Sequence, residues 1–378
     1  MLGVGNWFRI ISGLVFCKEY KMKAIITGIT GQDGSHLADL LLEKNYEVIG
    51  VARRCSVDTT KRIKHLSSNN KFKLIEGDIT DVSSVINIFK NNDNVDEVYN
   101  LAAQSHVATS FKQPALTWDV TGKGCLNLLQ SLIDLNMNGV KFYQASSSEM
   151  FGGSYDVKDD NEKYQDENTK LMPNSPYAIA KCAAHHSVRI FRDAYGLHAS
   201  SGILFNHEGP RRGENFVTQK IIRWIQNYLR WFDRMAGSDG IYTFDEDYIY
   251  AEETYISEGE EHHEAFPKLR LGNIEAYRDW GYAGDYVEAM WMMLQQDVPD
   301  DYVICTGESH SIKDFLKIAF SYAGIGNWQD FIVIDPEFYR PCEVEYLRGD
   351  ASKANKKLEW SPKVNLEGLI KLMLDAKL

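Results

Sequence analysis

The sequence predicts an α/β fold: a doubly wound parallel sheet of Rossmann type, followed by a smaller mixed α/β domain. Three observations predict it. From Met22 onward, short runs rich in apolar β-formers alternate with stretches of helical period. The first run leads directly into a turn of closely spaced glycines. After Phe205 the alternation becomes irregular, as a domain of different architecture would make it.

In chain order, the candidate strands are Lys23 to Thr27, Glu47 to Ala52, Lys71 to Glu76, Glu97 to Leu101, Lys141 to Ala145 and Ala199 to Phe205. Six such strands complete a doubly wound sheet. Ser35 to Lys44 places Leu37, Leu40 and Leu41 on one helical face, and Pro114 to Leu135 and Tyr177 to Tyr195 are long enough for helices. Residues 1–22 read as an N-terminal extension. They are mildly apolar, but Asn6 and Arg9 interrupt them, and the stretch is too short and mixed to span a membrane. The division expected is 23–205 for the first domain, with some later segments returning to it, and 206–378 for the second.

The chain has 378 residues, 44% of them hydrophobic, enough for a substantial core. Its net charge is −12, yet Asp233 to Glu264 holds eleven acidic residues against one base, Arg234, and so carries −10 of it. The rest is nearly neutral and lacks a basic stripe, which argues against a nucleic-acid partner. The six cysteines (Cys17, Cys55, Cys125, Cys182, Cys305, Cys342) form no CxxC pair and stand beside no histidine at zinc-ligand spacing. They read as reduced thiols of a cytoplasmic protein, and neither a metal nor a membrane is expected.

The glycine turn reads Gly28-Ile29-Thr30-Gly31-Gln32-Asp33-Gly34, with a strand before it and a helix after it. Gly28 permits the tight turn, Gly31 lets the backbone approach a pyrophosphate, and Gly34 allows close helix packing. Residues 23–205 therefore read as a dinucleotide-binding domain. Where a carboxylate would bind the ribose hydroxyls of NAD, the second strand ends in Arg53-Arg54, whose planar donors suit a 2′-phosphate. NADP is the cofactor expected. Asp78 and Ile79, after the third strand, are placed to bracket the adenine.

Tyr177 and Lys181 are four residues apart, so on a helix both point from one face. The ammonium is expected to favour phenolate, so that Tyr177 takes a proton from an alcohol as hydride leaves. Tyr-x-x-x-Lys alone occurs by chance on amphipathic helices. Here it opens the helix that follows Ser146-Ser147-Ser148-Glu149 at the end of a strand, where a third catalytic hydroxyl belongs.

The order of glycine loop, Asn100-Leu101-Ala102-Ala103, serine cluster and Tyr-x-x-x-Lys resembles the extended short-chain dehydrogenase/reductases that act on nucleotide sugars. Within them the chain is similar to the GDP-mannose 4,6-dehydratase family. The likeness rests on Thr27 to Ser35, Asn100 to Val107, Ala145 to Gly152, Ser175 to Lys181, Gly202 to Ile221, Arg278 to Gln296 and Arg340 to Asp350. The resemblance implies oxidation of the sugar at carbon 4 by tightly held NADP, loss of water across carbons 5 and 6, and hydride return to carbon 6. It implies Ser147, Ser148, Glu149, Tyr177 and Lys181 as catalytic, with Glu149 serving carbon 5. Cofactor contacts implied are Leu101, Ala102, Ala103, Ser105, Leu116, His207 and Arg212, beside Thr30, Gln32 and Asp33 in the loop. Positions for the GDP-sugar are Ser105, Ser147, Glu149, Asn206, Val217, Lys220, Arg278, Arg340 and Glu343. The family also implies a homodimer or homotetramer, with the Arg53-Arg54 loop near a subunit boundary.

An acidic, tyrosine-bearing insertion, 231–267, departs from the family. It reads as a solvated excursion, part of which packs on something; a metal site through His262 and His263, a partner surface or a lid are the alternatives. Gln219 replaces a basic residue common in the family and leaves a GDP-heptose open as substrate. A nucleotide-sugar 4-epimerase and a non-catalytic NADP-binding scaffold are the rival functions. Intact Tyr177, Lys181 and Glu149 argue against the scaffold.

Overall fold

A computed structural model describes residues 21–158, 161–235, 242–251 and 264–376. The central sheet has seven strands: β1 (Lys23–Thr27), β2 (Glu47–Ala52), β3 (Phe72–Glu76), β4 (Glu97–Asn100), β5 (Lys141–Ser147), β6 (Ala199–Leu204) and β7 (Asp301–Ile304). They run β7-β6-β5-β4-β1-β2-β3, and every neighbouring pair is parallel. Six strands were expected. The seventh is four residues long and lies about a hundred residues beyond β6, where it pairs Ile304 with Leu204.

Seven helices matter for the site: α1 (Gln32–Glu43), α2 (Val82–Lys90), α3 (Val107–Lys112), α4 (Gly124–Asp134), α5 (Pro176–Tyr195), α6 (Val217–Met235) and α7 (Ala283–Leu294). On one face of the sheet, Leu37 and Leu41 of α1 share a core with Met290 and Met293 of α7. On the other, Val85 of α2, Leu128 of α4 and Val188 of α5 pack around Ile25, Val98 and Phe142. Each fully buried aliphatic side chain contributes about 1.5–3 kcal/mol of transfer free energy. With both faces covered, the central strands are buried along their length, whereas edge strand β3 exposes Lys73 and Leu74.

The helix expected over Pro114 to Leu135 is present as one helical run to Asp134, but not as a single α-helix. A short helix, Pro114–Thr117, passes through a wider π turn, Trp118–Lys123, into α4. Gly122 in that turn faces Ala180 of α5, where an added Cβ would lie 3.4 Å from the carbonyl oxygen. Such widened turns commonly mark functional regions.

The second core gathers Ile221, Trp224, Ile225 and Tyr228 of α6 with Phe315, Leu316, Leu369 and Ile370 from later helices. In the described part of the insertion, exposed residues alternate with a part that packs on the second core, as expected. Trp231 to Met235 belong to the last turn of α6, and Tyr242–Phe244, Tyr248–Ala251 and Glu264–Pro267 pair as an antiparallel sheet. Alternation in Tyr248-Ile249-Tyr250 turns Ile249 inward, fully buried, and Phe266 packs 5.4 Å from Trp231 and 5.6 Å from Trp224. Asp245, Glu246 and Asp247 remain exposed at the tip. His262 and His263 lie outside the described residues, as does nearly all of the N-terminal extension.

Candidate active site

The sheet order reverses between β1 and β4, and there the strand ends open into a crevice of about 1250 Å³. That exceeds the ~300–1,000 Å³ usual for one small ligand. Gly28 has φ +70°, and a Cβ on it would lie 2.8 Å from Ala102 N; one on Gly34 would lie 2.4 Å from Gly28 O. No side chain caps the N-terminus of α1, whose first N–H groups face the crevice beside Gly31. The loop thus fits a pyrophosphate as it stands.

All but one of the sequence-predicted site residues line this single crevice: the glycine loop, Arg53, Asp78, Ile79, Leu101 to Ala103, Ser105, Leu116, Ser147 to Glu149, Tyr177, Lys181, Asn206, His207, Arg212, Val217, Lys220, Arg278, Arg340 and Glu343. Arg54 does not; it is exposed beyond the rim. Arg62 takes a place there instead, donating from Nη1 to Thr30 O at 3.3 Å and from Nε to Arg211 O at 2.6 Å. It sits in a 3₁₀ turn, Thr60–Leu66, which carries no motif to announce it.

Asp33 turns toward the protein. Its carboxylate meets His207 Nε2 at 2.8 Å, while His207 Nδ1 donates to Phe205 O at 2.7 Å. Both imidazole nitrogens therefore face acceptors. Burial opposes charge on each partner, but their mutual attraction outweighs it: Asp33 is held well below the usual carboxylate range and His207 is raised.

A hydrogen-bonded chain crosses the strand ends. Thr27 Oγ1 donates to Asn100 Oδ1 (2.7 Å), Asn100 Nδ2 to Gln144 Oε1 (2.7 Å), and Gln144 Nε2 to Ala145 O (2.9 Å). Ala145 O also accepts from Lys181 Nζ at 2.5 Å. Lys181 is placed there because Ser175 caps α5, accepting from Ala178 N, with Pro176 at its first position. Tyr177 then falls in the first turn and Lys181 one turn later. Thr27 and Gln144 drew no notice as site residues, since nothing in the sequence links three separate strands.

The electrostatic expectation for Tyr177 is corrected. Burial pushes its phenol up to about 12, partly offset by a hydrogen bond with Ser147, and burial pulls Lys181 down to about 8. The lysine ammonium is engaged by Ala145 O and stands 5.8 Å from the tyrosine ring centroid, and loss of water is the largest influence on both groups.

Glu149 stands in a 3₁₀ turn, Ser148–Phe151, that continues from β5, with Ser147 Oγ accepting from Glu149 N at 3.3 Å. Its carboxylate is only 11% exposed and lies 3.4 Å from Arg340, which is itself 3.6 Å from Glu343. Arg278 completes the cluster at 2.7 Å from Glu343. Lys220 points its ammonium to Arg270 O at 2.7 Å and over the Phe338 ring at 3.8 Å. Among the described residues no group of histidine, cysteine and carboxylate side chains could hold a metal ion. None of the described helices is long and apolar enough to cross a membrane.

Residues 25–255 and 256–373 match the family described as GDP-mannose 4,6 dehydratase. The chain is 48% identical over 367 residues to GDP-mannose 4,6 dehydratase 1 of Arabidopsis thaliana, covering 94% of this chain and 89% of that one. Among solved structures, UDP-glucose 4-epimerase with UDP-glucose from Thermotoga maritima superposes with a TM-score of 0.72 at 26% identity, covering 94% and 98%. The dTDP-glucose 4,6-dehydratase of Bacillus anthracis in complex with NAD shares the fold at TM-score 0.72 and 19% identity, covering 93% and 95%.

Proposed function

This chain belongs to the GDP-mannose 4,6-dehydratase family, and on that premise we propose that it converts GDP-mannose to the 4-keto-6-deoxy sugar nucleotide with a nicotinamide dinucleotide, NADP in particular. It is an enzyme of the carbon–oxygen lyase class. One observation carries the reading: Ser147, Tyr177 and Glu149 line one crevice, and the Ser147 hydroxyl caps the turn that presents Glu149. A phenol and a carboxylate thus flank one serine, and a sugar ring between them meets two proton-transfer groups.

Held by Gly28, Gly31 and the N-terminus of α1, NADP would supply the hydride acceptor for carbon 4, the hydride donor for carbon 6 and, when oxidised, positive charge that favours phenolate. Ser147 holds the carbon 4 oxygen while Tyr177 takes its proton. Lys181, anchored on Ala145 O, keeps positive charge next to the phenolate that results. A ketone at carbon 4 acidifies the carbon 5 proton. Glu149 removes that proton and delivers it to the oxygen leaving carbon 6. The proton that Tyr177 took returns to carbon 5 as carbon 6 receives hydride, which restores the phenolate, so the balance is loss of one water and no net reduction. Arg278, Arg340 and Lys220 suit the diphosphate, and Glu343 the guanine or ribose edges. NADP over NAD is supported by Arg53 and Arg62 on one rim of the crevice.

Incubation of the purified protein with GDP-mannose and NADP is expected to yield the dehydrated sugar nucleotide without net NADPH. Stoichiometric NADPH, or no elimination product by mass spectrometry, would overturn the proposal.

A further inference from the structure

The segment after β6 is tied to both banks of the crevice. On the α1 bank, Gln32 Nε2 donates to His207 O at 3.0 Å, Arg62 Nε donates to Arg211 O at 2.6 Å, and Arg211 Nη1 meets Asp39 at 2.7 Å and Ser35 Oγ at 3.3 Å. On the α3 bank, the Phe216 ring packs edge-on against His106, with centroids 5.7 Å apart. Between the two, the Arg212 guanidinium lies 3.6 Å over Phe216 and pairs with buried Glu208 at 2.9 Å. Gly213 to Phe216 line the crevice opposite the glycine loop, whereas Arg211 and Asp39 do not line it.

We propose that residues 209–216 form a strap that keeps the dinucleotide in place from one turnover to the next, with the Arg211–Asp39 ion pair, outside the crevice, as its latch. The inference rests on the reading that the crevice holds a dinucleotide. The chemistry gives retention a purpose: hydride removed at carbon 4 returns to carbon 6 of the same sugar, so reduced cofactor that escapes between the two steps leaves the sugar stranded as a ketone. An anchor on the outer surface of α1 can open without disturbing Tyr177, Ser147 or Glu149.

The test is the dissociation rate of NADPH from the loaded full-length protein, followed by its fluorescence after a chase with excess NADP and without any sugar. Arg211→Gln and Asp39→Asn are each expected to speed release about twofold to fivefold, the upper part of the range for a partly exposed pair. The double variant should release no faster than either single variant, because both break one contact. Arg211→Lys should restore part of the retention. His65 also meets Asp39, at 2.7 Å, so His65→Ala separates the latch from the general surface of α1. Unchanged release in the single variants, additive effects in the double variant, or equal acceleration by His65→Ala would overturn the latch. Failure of the native protein to bind NADPH would instead overturn the cofactor reading.

Discussion

The two ends of the crevice handle charge in opposite ways. Around Tyr177 and Lys181, burial is the largest influence on both groups, raising the phenol and lowering the ammonium. Around Glu149, two arginines and two glutamates answer one another within 2.7 to 3.6 Å. At the first end the phenol stays protonated beside a single buried lysine ammonium; at the second, each charged side chain has an opposite partner within reach before any ligand arrives. A ligand that delivers positive charge therefore activates the first, and one that delivers a diphosphate must compete with Glu149 and Glu343 for the second.

The sharpest way to break this contrast is Tyr177→Phe, which should lower kcat by about 10²–10⁴-fold, the range for a lost general acid–base group, while leaving GDP-mannose binding nearly intact. Steady-state kinetics and a binding titration together check it. At the other end, Arg278→Met removes the nearer of Glu343's two arginine partners and leaves it Arg340 at 3.6 Å. It should cost about 1.5–3 kcal/mol of stability in a denaturant titration, the range for a lost hydrogen bond to a charged group. A loss below about 1 kcal/mol would show that the cluster does not balance itself in this way.

A third pair, Asp33–His207, tests the same logic by pH. His207 is raised in the folded protein, so its contribution is fully present below about 6.5, its ordinary value, and fades as pH climbs through the raised one. Asp33 is lowered, so its contribution is present above 3.8 and is lost as pH falls through the lower folded value. Stability from the pair should be greatest between these limits, and His207→Gln should flatten the alkaline side of the profile. The smallest effect is expected at the rim. Arg54→Ala should change NADP affinity less than about twofold, against roughly tenfold for Arg53→Ala, which loses a charge-assisted contact. Equal losses would return Arg54 to the site.

What the sequence disclosed follows the distance over which its signals act. Gly28 to Gly34 and Tyr177 with Lys181 are local patterns on a strand–turn–helix and one helix face, and they stand where spacing put them. The contact of Glu149 with Arg340 joins residues 191 apart, and only resemblance brought both into the site. Strand β7 lies about a hundred residues beyond β6, past a stretch of irregular pattern and outside the strand–helix alternation that marks the other six. Dense acidic charge masked the alternation at Tyr248 to Tyr250 that turns part of the insertion inward. Arg62 gave no signal at all. The direction of the Tyr177 shift was misread for a different reason: helical spacing reports that two groups are neighbours, but not how much water surrounds them.

Glu149 performs a proton transfer separate from that of Tyr177, and Glu149→Gln tests this most directly in a single turnover with GDP-mannose and NADP. The expected result is a stoichiometric rise of NADPH absorbance that persists, because carbon 4 is still oxidised while elimination slows by about 10²–10⁴-fold. Dehydrated product at the native rate, or no NADPH formed at all, would contradict it.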